Sequence, residues 1–171
     1  MCSSDLAHRI LSLSVLRGVL SIGSSETVTF VNAPQLAEKH GLTVTDSKSA
    51  HSPDYRNMIT VRTSCGHSIA GTLAGLRMEP RIVMVDEHTV EVPPSKHLLV
   101  VRNDDRPGMI GVLGTTLAKH GVNISTMALG RARTGGTSLM MVATDQAVPG
   151  TAIEELRATS GIHGVDSIDD A

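Results

Sequence analysis

Between Leu98 and Asn123 the chain reads LLVVRN, DDRPG, a helical run and then GVN, and few folds accommodate that succession. Leu98, Leu99, Val100 and Val101 form a short run of aliphatic and β-branched residues, which predicts a strand covered on at least one face. Asp104 and Asp105 precede Pro107, whose fixed φ suits the first turn of a helix and whose missing N–H costs nothing there. Ile110, Leu113 and Leu117 recur at i, i+3 and i+7, the apolar stripe of an amphipathic helix. Lys119 and His120 place cations at the helix C-terminus, and Gly121 supplies a left-handed cap. Asn123 then opens an extended segment, NISTMALG.

The residues that follow complete a pattern. ARTGGTS (Ala132 to Ser138) reads as a glycine-rich turn, LMMVATD as a third strand, and Pro149 opens a helix with Ile153 and Leu156 on one face. HGVDSI is a fourth strand. The order βαββαβ is the ferredoxin-like arrangement, helices on one face of an antiparallel sheet.

Upstream, Leu6, Ile10, Leu13, Leu16 and Leu20 recur every three or four residues and predict a helix over Asp5 to Leu20. GSSE (Gly23 to Glu26) is a turn and TVTFVN is extended. Asn32 is placed to cap a helix with Pro34 in its first turn and Gly41 at its end. Leu42 to Lys48 alternates apolar and polar residues, as a half-buried strand does, and HSPDYRN is a loop. MITVRTS and SIAGTLAG read as a hairpin turning at Cys65-Gly66-His67, and RIVMVDEHTVEV as a second pair folding at Asp86 to His88. This first portion is one or two helices over a mostly antiparallel sheet, closed by a stiff Pro93-Pro94-Ser95 linker. The expected class is α+β, with a first domain over 7–94 and a second over 96–171.

Composition narrows the function. Phe30 and Tyr55 are the only aromatic residues, so the core is aliphatic, helped by eight Met, and a base-stacking nucleic-acid module is disfavoured. The formal net charge of -2, without a basic stripe, implies neither nucleic acid nor an anionic membrane as partner. Cys2 and Cys65 make neither a disulfide framework nor a metal site. No stretch is apolar enough to span a membrane, and MCSSDLAHR lacks the pattern of a secretory signal, so a cytoplasmic location is expected.

No catalytic constellation emerges: there is no GxGxxG before a helix, no P-loop, no HExxH and no nucleophile elbow, and the eight His are scattered. Asn103, Asp105 and Asn123 form a different kind of set. A βα turn gathers side chains near the free N–H groups of a helix N-terminus, which attract a carboxylate. An Asp beside them favours an ammonium, and Asn donates or accepts for a hydroxyl. The set suits a small zwitterionic amino acid. Composition alone favours the plainer reading, in which Asp105 caps the helix and Asn123 satisfies a strand end.

The stretch from Leu98 to Asn123 resembles the first βαβ of an ACT domain, a small ligand-sensing module. VTFVNAPQLAEKHGL (Val28 to Leu42), SIAGTLAG (Ser68 to Gly75) and RIVMVDEHTVEVPP (Arg81 to Pro94) look like the intervening domain of D-3-phosphoglycerate dehydrogenases of the long, bacterial type. The resemblance covers nearly the whole chain from about Ala7, and only the regulatory C-terminal part of that enzyme. It implies a truncated intervening domain followed by an ACT domain, with MCSSDL fitting nothing in the family. It also implies L-serine as feedback effector at Asn103, Asp105 and Asn123, with Asn103 standing where relatives often have His or Tyr. Arg81 and His88 match a basic anion site suited to a phosphate-bearing effector, although Glu87 beside them opposes an anion. The whole enzyme would transfer hydride from 3-phosphoglycerate to NAD, whereas this chain would hold no cofactor and not catalyse alone. Assembly into a homo-oligomer through the ACT domain is expected. The rival is a free-standing amino-acid-binding regulator with no attached enzyme, and an independent small enzyme is disfavoured by the missing catalytic groups.

Overall fold

The computed structural model describes residues 3–22, 26–49, 55, 57–132 and 136–169, with side chains from residue 9 onward. The chain divides after His51 into two compact units. The first holds α1 (Ser3–Ser21) and α2 (Ala33–Lys39). Leu20, Val28, Ala33, Leu36 and Ala37 are buried together, with Leu16 against them. Four expectations fail here. Ile10, placed on the apolar stripe of α1, is half exposed. Asn32 does not cap α2: its Oδ1 accepts from the Thr29 N–H at 2.7 Å and from the Thr29 hydroxyl, while its amide donates to the Thr27 carbonyl. The side chain closes the preceding turn instead, a local bond that competes with capping and leaves TVTFVN without strand structure. Leu42 to Lys48 is exposed throughout and forms no strand, because alternation makes a strand only where a neighbour takes up its backbone groups.

The second unit contains two antiparallel sheets. β1 (Met58–Arg62), β2 (Ser68–Ala74), β3 (Glu79–Val85) and β4 (His88–Val92) lie in chain order, so the two predicted hairpins are present and are joined by the pairing of β2 with β3. Gly66 and Asp86 take positive φ at the two turns. The second sheet follows with β5 (His97–Asp104), α3 (Met109–Lys119), β6 (Ile124–Arg131), β7 (Thr137–Thr144), α4 (Gly150–Arg157) and β8 (Ile162–Asp169). Its strand order is β6-β7-β5-β8, all neighbours antiparallel. The α+β class and the βαββαβ order are those expected. The predicted turns at Gly23 to Glu26 and His51 to Asn57 fall largely outside the described residues, as do positions 133–135 of the turn expected over Ala132 to Ser138, whose last two residues belong to β7.

Alternation along β5 and β7 assigns the two faces of this sheet. Leu99, Val101, Met140 and Val142 meet Met109, Leu113 and Leu117 of α3 and Ala152 and Leu156 of α4. On the opposite face Leu98, Val100, Leu139, Met141 and Ala143 meet Val85, Val90 and Val92 of β3 and β4. Burying a side chain of this size is worth roughly 1.5–3 kcal/mol, so the aliphatic core suffices without aromatics. β4 crosses β6 so closely that a Cβ on Gly130 would lie 2.7 Å from the Thr89 carbonyl oxygen, an approach only glycine permits. α3 begins two residues later than expected. Gly108, with φ of 95°, turns the chain in a left-handed conformation, so Pro107 stands before the helix rather than in it. The stripe shifts with that start: Met109, Leu113 and Leu117 are buried, whereas Ile110 is 47% exposed.

Candidate functional site

The late start of α3 leaves one corner of the helix-facing side of the second sheet uncovered. A cavity of about 320 Å³ opens there, lined by the β5–α3 turn and by β6 and β7. Strand alternation sends Asn103 to this side, after Leu99 and Val101, and sends Arg102 to the other. Asn103 is only 2% exposed; its Nδ2 donates to the Asp104 carbonyl at 2.7 Å, and its Oδ1 has no partner among the described residues. Asp105 lies on the rim with its N–H on the Gly136 carbonyl. No side chain caps α3, so the plainer reading of Asp105 as a helix cap does not apply, and the first-turn N–H groups face the cavity end of the helix. Met109, Met140 and Leu129 supply an apolar wall.

Arg131 was not singled out from the sequence. Its guanidinium Nε lies 3.1 Å from the Asp105 carboxylate, and both line the cavity. The available signal was the strand period: Leu129 and Arg131 share a face, opposite Met140 and Ser138 of β7. Arg106, also on the rim, binds the Ser160 carbonyl, and its own N–H donates to the Asp104 carbonyl. The corner therefore offers a buried acceptor, a carboxylate and free amides within one turn of chain, and a guanidinium brought to them by β6. Both signs of charge face one opening.

Asn123 is not part of this cavity. It stands beyond the other end of α3, where its amide donates to the Asp145 carboxylate at 2.7 Å. Eleven helical residues separate the two ends by roughly 16 Å. That far end is tied down: Lys119 and His120 both reach the Glu155 carboxylate at 2.9 Å, and the His120 and Lys119 contacts hold it below its usual pKa range.

Arg81 and His88 do not line a common cavity. Arg81 binds Glu79 at 2.7 Å and the Pro80 carbonyl, beside a second cavity of about 310 Å³ that also carries Glu91 and Arg77. His88 is the first residue of β4, opposite Val85, four residues further along β3 and thus roughly 13 Å away. Its ring nitrogens are buried and without partners where the two sheets cross. A polar side-chain link between the sheets lies elsewhere, and sequence reasoning missed it. Arg102 of β5 reaches Asp86 at 3.3 Å and also binds Asp166. Burial pushes the Asp86 carboxyl up, but the Ser68 N–H, His67 and Arg102 outweigh it and hold the group below its usual range.

Both sheets are antiparallel, so the parallel sheet and glycine-rich βα turn that hold a dinucleotide are not among the described residues. No group of His, Cys, Asp and Glu among the described residues could hold a metal ion, and no described helix is long and apolar enough to cross a membrane.

Comparison with known proteins agrees with this architecture. Residues 97–161 match the profile of the ACT domain, and residues 3–86 that of the D-3-phosphoglycerate dehydrogenase intervening domain. Among similar proteins are the D-3-phosphoglycerate dehydrogenases of Mycobacterium leprae (37% identical over 88% of this chain and 29% of the relative) and of Synechocystis (33%, over 89% and 28%). That of Methanocaldococcus jannaschii is 31% identical over 95% of this chain and 32% of its own length. The chain spans about a third of the length of the curated relatives it matches. With intervening-domain sequence running into a ferredoxin-like module along one chain, it belongs to the D-3-phosphoglycerate dehydrogenase family and carries that family's regulatory part.

Proposed function

We propose that this chain binds L-serine as the feedback effector of an NAD-dependent D-3-phosphoglycerate dehydrogenase, the enzyme that opens L-serine biosynthesis in the cytoplasm. The observation that carries the reading is the Asn103 side-chain oxygen, buried at the back of the cavity without a donor. A buried acceptor left unpaired costs about 1–3 kcal/mol, and a ligand N–H or O–H removes that cost. The ligand ammonium sits between Asn103 Oδ1 and Asp105. Its carboxylate meets the amides of Gly108 and Met109, since the Arg106 amide is engaged and Pro107 has none. A free-standing regulator is not favoured, because intervening-domain sequence precedes the ACT domain. Hydride transfer from 3-phosphoglycerate to NAD belongs to the whole enzyme, outside these residues.

Asn123 joins the site from a second copy. β6 and β8 are the edges of the second sheet, and Ile110, Met127 and Leu129 form an exposed apolar border beside the β6 edge. Antiparallel pairing of two β6 edges about their middles sets the start of one strand against the end of the other. Asn123 of one copy then lies beside Arg131 of its neighbour, in a self-complementary two-fold dimer.

The test is calorimetric titration of the chain with L-serine. A charge-assisted hydrogen bond is worth about 1.5–3 kcal/mol, so Asp105→Asn is expected to weaken binding roughly tenfold or more. Asp104→Asn, whose carboxylate is held by His163 at 2.7 Å outside the cavity, is expected to bind as the wild type does. Equal affinity in wild type and Asp105→Asn removes serine from this site.

A further inference from the structure

We propose that Arg131 is the specificity-determining residue of the β5–α3 cavity, holding Asp105 in the empty site and turning to the ligand carboxylate when an ammonium displaces it. This rests on reading the cavity as an amino-acid site. The pair it starts from is exposed: the Arg131 side chain is 72% accessible and that of Asp105 31%, with Nε and Oδ2 3.1 Å apart. Ion pairs this open contribute little, so a ligand ammonium, drawn also by the deeper Asn103 oxygen, replaces the guanidinium at small cost. Arg131 lies on the same face of β6 as Leu129, across from the buried Ser138, and its stem starts at the cavity rim.

What it does once displaced follows from charge. A carboxylate entering beside Asp105 meets a like charge, and the first-turn amides of α3 offset that only in part. The planar guanidinium supplies two parallel N–H donors that match a carboxylate. One side chain thus neutralises Asp105 when the cavity is empty and the ligand carboxylate when it is full. A ligand with an ammonium and no carboxylate leaves Arg131 competing for Asp105. The cavity therefore selects free α-amino acids over carboxyl-blocked or amine-only analogues.

The experiment pairs L-serine with L-serinamide, which keeps the ammonium and hydroxyl and lacks the negative charge, and titrates both into the full chain. For wild type, serine is expected to bind at least tenfold more tightly than serinamide. Arg131→Gln is expected to weaken serine about tenfold and to leave serinamide unchanged or improved, collapsing the preference. Arg131→Lys, which keeps the charge and loses the fork, falls between. Asp105→Asn weakens both ligands, which separates the ammonium contact from the carboxylate contact. Serine binding that survives Arg131→Gln, or an equal loss for the two ligands, overturns the role of Arg131 and leaves the amino-acid site standing. A wild-type chain that binds neither ligand overturns both.

Discussion

β5 and β7 are covered on both faces, by α3 and α4 on one side and by β3 and β4 on the other. β1 and β2 are covered less completely: Ile59, Ile69 and Leu73 stand 44%, 41% and 48% exposed on the side that continues outward from Ile82. Both pairs of strands are rich in β-branched and aliphatic residues, yet their sequences differ in kind. LLVV and LMMV are unbroken apolar runs, as a strand sandwiched between two layers requires, whereas MITVR and SIAGTLA interleave polar and small residues. The number of layers over a strand is thus written in whether its apolar residues alternate or run together. At Arg102 and Asn103 the run of β5 ends and the two faces take up different tasks.

The largest effect of a substitution is expected in the doubly covered core. Leu113→Ala empties a site at the centre of the doubly covered core and is expected to cost about 2–5 kcal/mol, read from urea unfolding. A cost below about 1 kcal/mol would mean that α3 is loosely held. The next largest effect lies at the link between the sheets. Asp86→Asn keeps a residue that tolerates the positive φ and removes the charge facing Arg102 and His67, with an expected loss of about 1–2 kcal/mol at neutral pH. The folded carboxyl titrates below its unfolded value, so its contribution is complete above the ordinary carboxylate range. It fades as pH falls through that range and then through the lowered folded pKa. Wild type and variant should converge in acid; a gap that stays constant with pH contradicts the ion pair. The smallest effect is expected at the outward face, where Ile69→Ala should cost less than about 1 kcal/mol. A loss equal to that of Leu113→Ala would show that a second copy covers this face in solution.

How legible the fold was depended on the range of the interaction behind each feature. β5, the C-terminal end of α3 and the two hairpins were readable because an apolar run, Lys119 before Gly121, and Gly66 and Asp86 at the turns act on their own neighbours. Asn32 misled because its side chain had two local choices and took the preceding turn. Ile110 misled by a single position: a helix beginning at Met109, after a left-handed Gly108, rotates the stripe so that Met109 faces inward. Leu42 to Lys48 misled because alternation says nothing about whether a partner strand exists. Asn103 and Asp105 were readable as neighbours, and line one cavity, because the βα turn itself joins them. Arg131 was not, because only the pairing of β6 with β7 carries it to Asp105 across the sheet.

The sequence by itself therefore determined the order βαββαβ, the cover over at least one face of β5 and the presence of a carboxylate beside a helix N-terminus. Each of these follows from residues within a few positions of one another. Tertiary structure alone decided that Asp105 meets Arg131, that the Asn103 oxygen is buried without a partner, and that Arg102 reaches Asp86 across the sheets. It also decided that Asn123 stands a full helix length from the cavity and that Arg81 and His88 stand apart. The physical reason is that periodicity records how a segment divides between apolar and polar surroundings. Which polar group meets which is settled by strand register and sheet packing between residues far apart in the chain.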